Sequence, residues 1–237
     1  MKFGITQTFD CSYLPDRKEQ LLVYAEQSSQ QALRYGQLIQ VGFRRSGEQI
    51  YRPHCPQCTA CQSIRIPVDE FVASRSQKRI LKRNASFRTQ MVTTPSRDYY
   101  PLYEQYICAR HTEGSMYPPN KTQFEHFILC EWQGPAYIEA YDGDKLIAVA
   151  VTDVIDNGTG HRALSALYTF FDPNYASASL GTWMIMMQAH HAKLQNREYL
   201  YLGYYVAGSQ KMSYKQQFFS FEQFNGNKWQ RFCKKPA

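Results

Sequence analysis

Ala136-Tyr-Ile-Glu-Ala-Tyr-Asp-Gly143, Lys145-Leu-Ile-Ala-Val-Ala-Val-Thr-Asp-Val-Ile155 and Arg162-Ala-Leu-Ser-Ala-Leu-Tyr-Thr-Phe-Phe171 decide the architecture. These runs are rich in β-branched and aromatic residues, and they predict strands over 136–141, 145–155 and 162–171. Asp142-Gly143 and Asn157-Gly158 join them, and both dipeptides supply the positive φ of tight hairpin turns, so the three strands form an antiparallel meander. Asp172-Pro173 ends the meander. Ser179-Leu-Gly-Thr then opens a helix running to about Asn196, and Tyr199-Leu-Tyr-Leu-Gly-Tyr-Tyr205 reads as a further strand. Upstream, Tyr99 to Thr112 and Thr122 to Trp132 carry apolar residues at helical spacing, among them Leu102, Tyr106, Phe124, Phe127 and Ile128.

Meander, helix, then strand is the order of the GNAT acyltransferase fold, which this half of the chain resembles. The expected class is α/β (α+β), with a GNAT-like domain over 96–237. In that fold the helix after the meander offers its first amides to a phosphate. Here Ser179 and Gly181 open it, with one glycine and no arginine. That is a poor match to an acyl-CoA turn but adequate for a nucleotide phosphate or ribose. Simple capping by Ser177 or Ser179 is the alternative.

A chain of 237 residues with 43% hydrophobic content is globular, and it contains no run approaching the ~18 apolar residues of a membrane span. The opening Met1-Lys-Phe-Gly-Ile-Thr-Gln-Thr8 lacks a hydrophobic signal core. Seven cysteines, an odd number, fit a reducing compartment, so a cytoplasmic protein is expected.

The net charge of +7 is unevenly placed. Residues 1–95 hold 14 Lys and Arg against 7 Asp and Glu, whereas 96–237 hold 13 of each. A smaller basic N-terminal domain over 1–95 with a polyanionic partner is therefore expected, bounded by the turn residues at 93–98. Its densest piece is Ser74-Arg-Ser-Gln-Lys-Arg-Ile-Leu-Lys-Arg-Asn84. The spacing predicts a short helix, N-capped by Ser76, that stacks Lys78 on Lys82 and Arg79 on Arg83. Like charges repel at this interval, and a phosphate backbone would offset that repulsion; an ordinary solvated face is the plainer reading. Residues 86–92 alternate as a strand.

Cys55, Cys58 and Cys61 form a Cys-x-x-Cys-x-x-Cys knuckle. Zinc or an iron–sulfur cluster needs a fourth ligand, which Cys11 or His54 would supply. A reduced loop with a purely structural task is the simpler alternative.

Several segments together resemble the aminoacyl-tRNA–protein transferase family: Cys11-Ser-Tyr-Leu-Pro15, Gly42-Phe-Arg-Arg-Ser-Gly47, the knuckle leading to Ile64-Arg65, the basic segment 74–84, and Leu200-Tyr-Leu-Gly-Tyr-Tyr-Val-Ala-Gly-Ser-Gln-Lys-Met-Ser-Tyr-Lys215. The likeness runs from about residue 8 to 230. The short length and spaced cysteines resemble the bacterial branch, which implies transfer of leucine from leucyl-tRNA to N-terminal Asp or Glu and a role in N-degron degradation.

Aminolysis of an activated ester needs alignment, a proton path and support for the oxyanion, but no cofactor. An acidic acceptor calls for arginine. Arg44, Arg45 and Arg65, with Lys211, are the candidate clamp. Tyr168, Lys211 and Tyr214 are the catalytic candidates, with Tyr204 as a further polar contact. Lys78, Arg79, Lys82, Arg83, Ser179 and Gly181 are expected to bind tRNA. His161, His190 and His191 are weak candidates for a base. A leucine pocket would draw on Phe170, Trp183, Met186 or Met187, residues that serve equally as core. An arginyl donor would use Glu139 or Asp153. An acetyl-CoA-dependent N-acetyltransferase and a non-enzymatic RNA-binding module are the rival classes.

Overall fold

The computed structural model describes residues 1–26, 28–114 and 116–233. In chain order the elements begin with β1 (Phe3–Ile5), β2 (Phe9–Asp10), β3 (Lys18–Glu19), β4 (Leu21–Tyr24), α1 (Gln31–Leu38), β5 (Arg44–Ser46), β6 (Gln49–Pro53) and β7 (Cys61–Pro67). Next come α2 (Arg75–Arg83), β8 (Arg88–Val92), α3 (Tyr99–Arg110) and α4 (Lys121–Ile128). The meander strands are β9 (Ala136–Asp142), β10 (Lys145–Asp156) and β11 (Arg162–Phe171). After it follow α5 (Leu180–Leu194), β12 (Tyr199–Val206), β13 (Phe221–Phe224) and β14 (Trp229–Phe232).

The meander is antiparallel, as the turn signals require, with Lys145 opposite Asp142 across a two-residue turn. It lies within an eight-stranded sheet of order β14-β13-β7-β12-β11-β10-β9-β8. β11 and β12 run parallel, linked by α5, which is the GNAT-like core arrangement. β7 and β8, both from the stretch before residue 95, join this same sheet, so the chain on either side of that boundary shares one hydrogen-bonded layer. A second sheet, β1-β4-β6-β5, carries the rest of the N-terminal segment.

Both faces of the central strands are covered. Ile147 through Val151 of β10 are fully buried, which matches their unbroken apolar run. On one face Leu180, Trp183, Met184 and Met186 of α5 pack with Tyr103, Phe124 and Phe170. On the other, Tyr35 and Leu38 of α1, Phe43 and Ile50 meet Ile155, Ala163 and Tyr201. Gly36 makes the α1 contact close: a Cβ there would stand 2.9 Å from the Asp156 carbonyl oxygen.

Two helix ends differ from the pattern. The cap of α2 is Ser74 rather than Ser76, because Ser74 and Gln77 form a reciprocal capping box that the i, i+3 spacing allows. α4 stops at Ile128 instead of reaching Trp132; the Glu131 amide and the Trp132 indole donate instead to Glu48 beside the β5–β6 hairpin.

Candidate active site

The site originates where two parallel strands part. β11 and β12 pair only at Ala163–Tyr199, Leu164–Leu200 and Ser165–Tyr201. Beyond these pairs each strand has a bulge. On β11 the register against β10 slips between Tyr168 and Ala166, and on β12 the register against β7 slips between Tyr201 and Tyr204. Gly203 lies in the second bulge with φ of 82°, a conformation glycine adopts without strain. The gap between the strands opens into a cavity of about 800 Å³. Residues 165–169 of β11, 202–204 of β12, the first turn of α5, the end of α3 and the 3-10 segment Gln210–Gln217 line it.

This cavity is cationic. Arg44, Arg45, Arg110, Lys211 and Lys215 line it, and among the described residues no Asp or Glu does. The three expected clamp arginines separate by their partners. Arg44 is 5% exposed and donates to Ser165 Oγ at 3.1 Å and to the Gly203 carbonyl at 3.1 Å. Its Nε has no partner, and its charge meets no carboxylate among the described residues. Arg45 does not serve as a clamp: its Nε and Nη2 grip Asp153 in a fully buried pair, with a shortest contact of 2.6 Å, and Nη1 donates to the Gly47 carbonyl. Such a pair has neutralised its own charge. Arg65 is also internal and lies away from the cavity. It donates to Glu222 at 2.7 Å and to the Tyr201 hydroxyl at 3.0 Å, with its guanidinium over the rings of Tyr199 and Trp229.

At the phosphate end, Ser179 is left-handed, with φ of 54°, and its side chain caps nothing; simple capping by this residue is therefore not its role. Ser179, Leu180, Gly181 and Thr182 all line the cavity at the positive end of the 15-residue α5. The basic helix adjoins this turn. Arg83 donates to the Ser177 carbonyl and Asn84 donates to the Ala178 carbonyl at 2.9 Å, while Lys78, Arg79, Lys82 and Arg83 are exposed. A strip of positive charge thus leads from α2 to the cavity.

Tyr168, Lys211 and Tyr214 line the cavity, and so does Tyr204. Burial holds the Tyr168 phenol well above its usual range, so it remains a hydrogen-bond donor at neutral pH, while Tyr214 is 40% exposed on the cavity wall. The histidines considered as bases lie elsewhere. His161 shares a hydrogen bond of 3.0 Å with the Tyr201 hydroxyl and is pushed down to about 4 by burial and by Arg65, while His191 pairs with Thr89. Phe170, Trp183, Met186 and Met187 do not line the cavity; the first three are buried core and Met187 packs against it. Leu167, Leu180, Ile185, Leu202 and Met212 supply the apolar wall instead. Glu139 accepts from Tyr99, Tyr141 and Gln90, and Asp153 from Arg45 and Tyr35, so neither carboxylate faces the cavity.

Arg110, Lys215 and Gln188 are among the lining residues that escaped the sequence reading. Lys215 is 6% exposed, donates to the Tyr204 carbonyl at 2.7 Å, and is pulled down to about 7 by burial and by Arg44. Gln188 is fully buried; its Nε2 donates to Thr152 at 2.9 Å and its Oε1 has no partner among the described residues. The signal available for Lys215 was the isolated Gly203 within a strand pattern, which marks a bulge or a close approach.

Cys11, Cys55, Cys58, Cys61 and His54 line a second cleft of about 210 Å³, separated from the cavity by Tyr204, which borders both. All four cysteines are free, and burial pushes Cys61 up to about 12. Among the described residues no three His, Cys, Asp or Glu side chains are placed to share one metal ion.

Residues 9–79 match the family described as arginine-tRNA-protein transferase, N terminus, and residues 98–225 its C-terminal counterpart. An aspartate/glutamate leucyltransferase from Pseudoalteromonas atlantica is 49% identical over 99% of both chains. One from Aeromonas hydrophila is 46% identical over 100% of this chain and 97% of its own, and one from Shewanella sp. strain ANA-3 is 45% identical over 96% and 93%. In fold alone the chain is similar to the L-PGS structure from Bacillus licheniformis, with a TM-score of 0.50, 9% identity, and coverage of 71% of this chain and 61% of that one. Matches at both ends and relatives alike over nearly their whole length have one consequence: the chain belongs to the arginine-tRNA-protein transferase family.

Proposed function

We propose that this protein transfers leucine from leucyl-tRNA to the α-amino group of proteins beginning with Asp or Glu, marking them for degradation by their N-terminal residue. The observation that carries this reading is the cavity between β11 and β12, which presents Arg44, Arg110 and Lys211 and no lining carboxylate among the described residues. Such a site suits two anionic partners, the tRNA 3′ end and an acidic acceptor, and offers nothing to pair with the guanidinium of an arginyl donor. Leucine instead meets the apolar wall of Leu167, Ile185 and Leu202.

The uncapped first turn of α5 receives the terminal phosphates, and the exposed cations of α2 follow the acceptor stem. Arg44 holds the acceptor carboxylate. Gln188 Oε1 accepts from the donor's α-ammonium, and Tyr168 and Tyr214 support the ester. The ester is already activated, so the chemistry needs no cofactor. No described helix is long and apolar enough to cross a membrane, and free cysteines fit a cytoplasmic setting. Purified protein, incubated with leucyl- or arginyl-tRNA and peptides beginning Asp, Glu, Lys or Ala and read by mass spectrometry, should add leucine to the first two alone. A product carrying arginine, or leucine on the Lys peptide, would refute the assignment.

A further inference from the structure

The transfer reaction leaves one proton unaccounted for. Attack by the α-amine forms an N–C bond and leaves a surplus proton on nitrogen, while the departing ribosyl oxygen needs one. A base near the ester therefore assists both steps. The described cavity wall offers no carboxylate for this work, His161 and His191 are engaged elsewhere, and His111 on the wall shares a hydrogen bond of 3.2 Å with the Tyr106 hydroxyl.

Lys215 occupies the cavity wall with an amine that is unusually placed for lysine. Its side chain is buried, and among the described residues its one hydrogen bond is to the Tyr204 carbonyl. A lysine is rarely buried without an anionic partner, because desolvation disfavours the charged form. The bulge on β12 creates the position: Gly203 gives its carbonyl to Arg44, the next residue gives its carbonyl to Lys215, and a Cβ on Gly203 would stand 3.5 Å from Nζ. Arg44 from β5 deepens the effect by adding a like charge. On the same cavity wall Arg45 is cancelled by Asp153, and the phenols of Tyr51 from β6 and Tyr204 from β12 are both held above their usual range. Arg110, His111 and Lys211 stand elsewhere on the wall. At neutral pH a large share of the amine is therefore unprotonated, with a lone pair to offer.

We infer that Lys215 is the catalytic base of aminoacyl transfer. Its Nζ takes the proton that the acceptor nitrogen sheds as the N–C bond forms. It returns that proton to the ribosyl oxygen as the ester C–O bond breaks, so Lys215 is neutral at both ends of the cycle. This inference rests on the transfer reaction proposed above and adds to it the residue that moves the proton.

The test is single-turnover transfer of leucine to an Asp peptide by wild type, Lys215→Met and Lys215→Ala, with tRNA binding measured in parallel. Both variants should bind leucyl-tRNA as wild type does and slow transfer by about 10²–10⁴-fold. Trimethylamine, a base that forms no stable amide, should restore part of the rate to Lys215→Ala. A folded Lys215→Met that transfers close to the wild-type rate overturns the assignment, and so does a slow Lys215→Ala that no added base rescues. Should neither variant fold, the wild-type pH profile decides. An acid limb near 7 that stays fixed while the acceptor's amine pKa is varied supports Lys215, and a limb that follows the acceptor overturns it. Failure of wild type to transfer leucine at all would instead count against the proposed function.

Discussion

Replacing Arg44 by Met removes a deep, permanently charged cation that has no carboxylate partner among the described residues while leaving a side chain that fills much of the same space. The guanidinium has five N–H donors. Those on Nη1 and Nη2 reach Ser165 and Gly203, and Nε remains unpartnered beside the cavity. The charge on this group is thus available to an acceptor carboxylate, and a charge-assisted hydrogen bond is worth about 1.5–3 kcal/mol. At about 1.4 kcal/mol per factor of ten, its removal should lower the preference for Asp over Asn acceptors by roughly 10- to 150-fold. The assay is competition between two peptides identical except for Asp or Asn at the first position, read as the ratio of kcat/KM values. Arg44→Met also relieves the like charge beside Lys215, but that effect falls equally on both peptides and cancels in the ratio. An unchanged Asp:Asn ratio in a folded variant would refute the assignment of Arg44 as the acceptor clamp.

Lys78→Glu with Arg79→Glu on exposed α2 should weaken tRNA binding and flatten its salt dependence, by about 0.7–0.9 in log–log slope for each phosphate left unneutralised; filter binding across a salt series checks it. Gln188→Leu should raise the KM for leucyl-tRNA and narrow the preference for an α-amino over an α-hydroxy donor, since Oε1 is a buried acceptor without a partner among the described residues. For Lys215 the folded pKa lies below the unfolded value, so the unfolded chain binds more protons between pH 7 and about 10. Wild-type stability should therefore rise across that window, with the cost of burying the ammonium fully present below pH 7. Lys215→Met should be the more stable protein at pH 7 by a few kcal/mol, at ~1.4 kcal/mol per unit of displacement, as urea unfolding at several pH values will show.

The readable part of this chain was its local structure. Strands 136–141, 145–155 and 162–171 and the helix from Ser179 fall within two residues of their observed limits, because hairpin turns and apolar periodicity are written in neighbouring residues. Arg44 and the α5 entry, which the structure places on the cavity wall, were singled out for the same reason: each belongs to a short motif. The unread part depends on distant partners. Nothing near Arg45 announces that Asp153, 108 residues away, neutralises it, and nothing near Arg65 announces Glu222 or Trp229. Cys61–Pro67 leaves the cysteine knuckle as β7, and its place between β12 and β13 is set by pairing with residues far along the chain. Lys215 was passed over because its chemistry comes from burial at a bulge, a property of the assembled sheet and not of its own motif.

The most direct test of the central claim is a donor competition. An equimolar mixture of leucyl- and arginyl-tRNA is offered with one peptide beginning with Asp, and the product is weighed. A cavity that lacks a lining carboxylate among the described residues predicts a product heavier by a leucyl residue alone. A product carrying arginine would contradict the reading of that cavity.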